Sequence, residues 1–194
     1  MSEILLGAGL AVLFFSGGLF VKAKVEEKED EDLVESDEFT KWDALFKKYG
    51  LLNGVDWTMM KAIAMNESSL GQYPTVARGL ASPDDVEGSK SQDGLSWGIM
   101  QMTVTTAKDY DNLATAQKLN HADYSVRLAS LFLSSLLRTW KDAGERKIEW
   151  IVKSYNQGAG NTRKESRGEI DGYAEVYWER YQRNRKLITT KQGV

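Results

Sequence analysis

Between residues 39 and 194 the apolar side chains recur mainly at three- and four-residue spacings, the period of helices with one buried face, and strand-like alternation is sparse. The pattern predicts a mainly α domain. Ser36 or Asp37 can cap a first helix that runs through Tyr49 and is closed by Gly50. Asp56 caps a second over residues 57–69, ending at Gly71. Residues 125–141 carry Val126, Leu128, Leu131, Phe132, Leu133, Leu136, Leu137 and Trp140 around most of the circumference, which predicts the central buried helix. Ile148, Ile151, Val152 and Tyr155 repeat at i, i+3, i+4 and i+7 on another helix, and residues 173–185 make a last one. Residues 72–95 hold both prolines, Pro74 and Pro83, with Gly79, Gly88 and Gly94, and read as one long exposed loop. No internal repeat is visible.

A different pattern precedes this domain. Residues 4–21, ILLGAGLAVLFFSGGLFV, contain no charge, and at about 1.5 Å per helical residue they nearly cross a hydrocarbon core. They predict a single N-terminal transmembrane helix within an anchor of residues 1–25. A cleaved signal peptide is the rival, but Glu3 stands where such a signal carries basic residues. A buried core hairpin would need partners on every face. Residues 26–38 hold nine acids against Lys28 alone and form an acidic, solvated linker to the domain of residues 39–194. Lys22 and Lys24, diluted by those acids, cast only a weak vote on membrane orientation.

Charge and composition narrow the chemistry. The whole chain is at -3, yet residues 39–194 have 22 basic against 18 acidic side chains. That excess lacks the clustered aromatic-basic pattern of nucleic-acid binding and fits attraction to an anionic polymer. With no cysteine and only His121, the chain lacks the parts of a cysteine nucleophile, a Cys/His zinc site or a Ser-His-Asp triad. Any catalysis must come from carboxylates, and neither a cofactor nor a metal is expected.

On a helical wheel Trp57, Met59, Met60, Ile63, Ala64 and Leu70 share one arc, and Glu67 lies in its middle. Desolvation on such a face favours the protonated carboxyl a general acid requires; the bland alternative is a glutamate that bends out to solvent or pairs with an arginine. Gln101 stands in the apolar run 96–102 and needs a definite polar partner, either a sugar hydroxyl or acetamido group or the loop backbone. Residues 154–160, SYNQGAG, by themselves are a common helix C-cap signature.

In this order the segments resemble the soluble-lytic-transglycosylase (SLT) domain family, lysozyme-like enzymes that cleave bacterial cell-wall glycan. The resemblance spans about residues 40–185. Its glutamate-serine pair appears as Glu67-Ser68, its Gly-Leu-Met-Gln as Gly98-Ile99-Met100-Gln101, and its Ala-Tyr-Asn-x-Gly as Ser154-Tyr155-Asn156-Gln157-Gly158. Its last motif, Glu-Thr-x-x-Tyr, appears as Glu169-Ile170-Asp171-Gly172-Tyr173, with Ile170 in place of Thr. The stretch from Glu67 to Gly98 is longer than the family leads one to expect, which implies an inserted loop beside the cleft.

The resemblance implies a lysozyme-like helical fold, peptidoglycan glycan strands as substrate, and Glu67 as sole catalytic acid and base. It further implies that Tyr173 orients Glu67, that Met100, Gln101, Tyr155 and Asn156 line the sugar cleft, and that Ser68 supports the acceptor or the local backbone. The bond cut would be the β-1,4 link after N-acetylmuramic acid, with a 1,6-anhydro end as product. Two rivals remain: a hydrolase in which Asp84, Asp85 or Asp93 activates water, and a non-catalytic glycan-binding or assembly protein. A bilayer contact through residues 4–21 would place the enzyme in a bacterial inner membrane or a phage virion membrane, acting on the periplasmic wall. Wall remodelling, secretion and phage entry all suit that arrangement, and the oligomeric state is not legible.

Overall fold

The computed structural model describes residues 37–86 and 94–193, so the apolar run 4–21 and most of the acidic linker lie outside the described residues. No helix among those described is long and apolar enough to cross a membrane. The domain is mainly helical. After a short 3-10 turn at Asp37–Phe39 come α1 (Asp43–Asn53), α2 (Trp57–Ser68) and α3 (Pro74–Ala81). A small antiparallel hairpin of β1 (Ser96–Trp97) and β2 (Met102–Thr103) pairs Ser96 with Thr103 and Trp97 with Met102. Then follow α4 (Val104–Lys108), α5 (Ala116–Leu119), α6 (Ala122–Thr139), α7 (Lys147–Gln157), α8 (Ala159–Ser166) and α9 (Glu175–Gln192).

The most enclosed helix is α2. Every residue from Thr58 to Asn66 is buried, as is Ser68, and Glu67 alone in that stretch keeps some exposure. Asp56 caps it as the sequence leads one to expect, its Oδ1 accepting from the Thr58 N–H at 2.8 Å. The 125–141 segment, expected to be central, is instead a flanking helix: α6 buries Val126, Leu128, Ala129, Leu133 and Leu136 but leaves Leu131, Phe132 and Leu137 only partly covered. Two faces of α2 are occupied by α1 and α9, and α6 packs against α1 and α7.

Two expected boundaries move for identifiable reasons. Gly50 does not stop α1 but sits inside it, because a Cβ there would lie 2.6 Å from the Val55 carbonyl; the stop is Gly54, in the left-handed conformation at φ +65°. Within the expected loop 72–95, Pro74 starts α3 rather than breaking structure, since the first helical turn needs no N–H from it. Helix α3 buries Val76 and Gly79.

Polar groups set the register between helices. Asn66 on α2 donates to the Tyr177 carbonyl at 2.9 Å and accepts from Asn184 at 2.8 Å, so two buried amides clip α9 onto α2. Lys61, fully buried on α2, pairs with Asp43 at the start of α1 at 2.8 Å. Burial pushes the Lys61 ammonium below its ordinary value and Asp43 only partly opposes this. Lys153 of α7 is 1% exposed and contacts Glu175 at 2.6 Å, Glu165 at 2.7 Å and Glu149 at 3.0 Å, tying α7, α8 and α9 together.

That cluster has a pH signature. Burial disfavours charge on Lys153, but hydrogen bonds to Glu165, Glu175 and Glu149 outweigh it and raise its pKa above the ordinary 10.5. The bond from Arg146, aided by Lys153, lowers Glu149 below 4.5. A raised lysine stabilises the fold below 10.5 and loses that contribution as pH rises further; a depressed glutamate stabilises above 4.5 and loses it as pH falls. Lys153→Met leaves three converging carboxylates without their cation and should cost about 3–5 kcal/mol, or roughly 10 °C in Tm. Thermal unfolding followed by circular dichroism should also show a shallower alkaline loss for the variant. A Tm within about 2 °C of the parent would refute the clamp.

Candidate active site

Glu67 is placed by three elements that meet at the C-terminal end of α2. From α9, the Tyr177 hydroxyl donates to Glu67 Oε1 at 2.6 Å. From α7, Tyr155 lies close enough for the Glu67 charge to act on its phenol, while its own hydroxyl donates to the Met100 carbonyl at 2.8 Å. Burial first, and the Glu67 carboxylate second, push both phenols well above their ordinary value. Both therefore stay protonated through the neutral range, and Tyr177 remains a donor. The Tyr155 ring is further held against Phe132, 5.3 Å between centroids.

The third element is the β1–β2 turn. Gly98 adopts φ +73°, and a Cβ there would come within 1.9 Å of the Leu119 carbonyl, so only glycine lets the turn close onto α5. Ser68 fastens the same turn to α2: its Oγ donates to the Ile99 carbonyl at 2.7 Å and accepts from the Gly71 N–H at 2.8 Å. Ile99 and Met100 are fully buried.

These contacts redistribute the expected roles. Ser68 is buried and serves the backbone of the cleft wall, one of its two expected roles, leaving no surface for a substrate. Met100 contributes its carbonyl to Tyr155, not its side chain to a sugar, because the thioether is enclosed in the core. The Gln101 amide donates to the Gly98 carbonyl at 2.9 Å, the loop-backbone partner, and the side chain stays half-buried. Asn156 is exposed beside Tyr155. Tyr173 does not reach Glu67: it is 65% exposed, and its hydroxyl accepts from Asn161 at 2.7 Å. The hydroxyl expected from Tyr173 comes from Tyr177, one helical turn later, because Tyr173 precedes α9 whereas Tyr177 lies in its first turn against α2.

Tyr177 was within reach of sequence reasoning. Tyr177, Tyr181, Asn184 and Ile188 recur at i, i+4, i+7 and i+11, and the last three are buried. That stripe marks the inward face of α9.

Of the other acids, Asp84 is exposed and accepts from Gln117 on α5, Asp85 is exposed, and Asp93 lies outside the described residues. Glu149, Glu165 and Glu175 bring oxygens within 4.8 Å of one another, a spacing that can hold a metal ion, but the Lys153 ammonium contacts all three. The site can thus present one oriented carboxyl flanked by two protonated phenols, a proton donor and acceptor for a bond laid across the end of α2.

No curated protein and no solved structure matches the chain. Among protein families, the transglycosylase SLT domain matches residues 44–174, two thirds of the chain, and spans Glu67, the β1–β2 turn and Tyr155. The match stops three residues before Tyr177. With that span and the helical architecture around Glu67, the chain belongs to the transglycosylase SLT domain family, whose substrate is peptidoglycan.

Proposed function

We propose that the protein is a membrane-held lytic transglycosylase that uses Glu67 alone as acid and base. The observation that carries this is the 2.6 Å hydrogen bond from Tyr177, which fixes a carboxyl on an otherwise buried face of α2, inside a domain of this family. The carboxyl protonates the glycosidic oxygen of the β-1,4 link after N-acetylmuramic acid, and the C1–O bond breaks. The carboxylate left behind then takes the proton of the muramoyl 6-hydroxyl, whose oxygen bonds to C1. Glu67 ends protonated, ready for another cycle, and the product carries a 1,6-anhydro end. The acetamido carbonyl of the same sugar can stabilise the cation between the two steps, as in substrate-assisted glycosidases.

One carboxylate suffices in this scheme because the acceptor is inside the substrate. The ordinary two-carboxylate arrangement needs a second acid across the bond, whereas here Tyr177 hydrogen-bonds the carboxyl and Tyr155 lies within reach of its charge. The apolar run 4–21 and the acidic segment 26–38 support attachment to a bilayer through a tether, which would confine the domain of residues 39–194 to wall within reach of the membrane.

Glu67→Gln keeps shape and can still donate a hydrogen bond, but it can neither deliver nor accept the transferred proton. Release of soluble muropeptides from purified peptidoglycan should fall by about 10⁴-fold, since one residue supplies both halves of a 10²–10⁴-fold effect. A variant retaining more than about a tenth of the rate would remove Glu67 from the chemistry.

Tyr177→Phe deletes one hydrogen bond to a carboxylate and should lower kcat by about 10- to 100-fold with KM little changed. An unchanged kcat would show that the phenol does not position Glu67. Membranes washed with alkaline carbonate should retain the intact chain; its recovery in the aqueous fraction would contradict the anchor.

A further inference from the structure

Tyr173 is unusual among the exposed apolar side chains because it is held still. Its backbone lies between Gly172, where a Cβ would come 2.1 Å from the Glu165 carboxyl, and Ala174, which is fully buried. Its hydroxyl accepts from Asn161 at 2.7 Å, and the same Asn161 amide donates to the Gln157 carbonyl at the end of α7 at 2.9 Å. Glu165 is itself fixed by Lys153 and Gln157. An aromatic ring that is 65% exposed yet tethered at both backbone and hydroxyl has already lost much of the freedom that binding would otherwise cost.

The ring is joined to the site through Asn161, whose amide bonds both the Tyr173 hydroxyl and the Gln157 carbonyl, next to Asn156. Asn161 follows Tyr155 and Asn156 across the α7–α8 turn, and a Cβ at Gly158 or Gly160 would meet nothing within 4 Å. Val176, also 65% exposed, lies in the first turn of α9, one residue before Tyr177 and its bond to Glu67. A pyranose whose substituents are equatorial presents a face of axial C–H groups. Those carry partial positive charge and suit the negative face of an aromatic ring.

We infer that Tyr173 is a stacking platform for one sugar ring of the glycan strand, at the rim of the cleft beyond Asn156. The inference rests on the glycan-cleaving function proposed above and adds a subsite to it. Tyr173 holds substrate without touching the reacting atoms, so it governs how tightly a strand binds rather than how fast the bound strand reacts. Asn161 is the positioning residue that keeps the ring in place.

The test separates the two readings by using the full chain carrying Glu67→Gln, which cannot turn over. Isothermal titration with the β-1,4-linked hexamer of N-acetylglucosamine, and pull-down on insoluble peptidoglycan, should both show binding. Adding Tyr173→Ala should weaken the hexamer about tenfold, the worth of one aromatic contact, while circular dichroism stays unchanged because the side chain is exposed. Tyr173→Phe and Tyr173→Trp, which keep the ring, should stay within about threefold of the parent. In the active enzyme, Tyr173→Ala should raise KM with kcat unchanged. Equal binding by the Ala and parent proteins would overturn the platform, and a loss with Phe as large as with Ala would replace stacking by a hydrogen bond. If the Glu67→Gln parent bound neither hexamer nor peptidoglycan, the glycan-cleaving reading would fail and the platform with it.

Discussion

The hydrogen bond from Tyr177 to Glu67 joins a helix near the end of the chain to one near its start, 110 positions apart, and it can form only if α9 lies on α2 in a single register. The buried amides of Asn66 and Asn184 impose that register. Slipping α9 by one residue would strand both amides in the core, at about 1–3 kcal/mol for each unmet group. The apolar contacts of Met59, Met60 and Ile63 supply attraction without direction. The polar pairs convert that attraction into one geometry.

A second clamp acts at the start of α9. Lys153 gathers Glu149, Glu165 and Glu175, and the last of these lies two residues before Tyr177. The start of α9 is thereby fixed from both sides, by Asn66 through the Tyr177 carbonyl and by Lys153 through Glu175. Replacing the whole cluster by apolar residues of equal volume can be neutral or stabilising, whereas removing the cation alone strands the carboxylates, so the cluster acts chiefly by orienting the three helices. The same clamp reaches Tyr173 through Glu165 and Gly172, which links the pose of the acid to the pose of the rim.

How far the sequence spoke depended on which signal each element used. Helices with an apolar stripe, such as α2 and α7, were legible from periodicity, and the position of Glu67 within the stripe of α2 was legible with them. Helix α3 was not, because Pro74 breaks a helix in its interior and begins one at its first turn, and composition cannot tell these apart. Gly50 failed as a stop signal because its small size serves a close approach to Val55 rather than a left-handed turn. Met100 reads as a cleft residue in the sequence, yet the four-residue turn between β1 and β2 folds it into the core, while the Gln101 amide donates to the Gly98 carbonyl within the same turn. Tyr173 and Tyr177 are separated by one helical turn, so assigning the hydroxyl on Glu67 required knowing where α9 begins.

In the proposed reaction a single carboxylate, held by a phenol, transfers both protons, and the attacking oxygen belongs to the sugar. Digestion of peptidoglycan by the full chain in water enriched in heavy oxygen tests this directly by mass spectrometry of the released muropeptides. The expected products carry 1,6-anhydromuramoyl ends, one water lighter than reducing ends and free of the label. Reducing ends that carry the heavy oxygen at C1 would show that water attacks, and would contradict it.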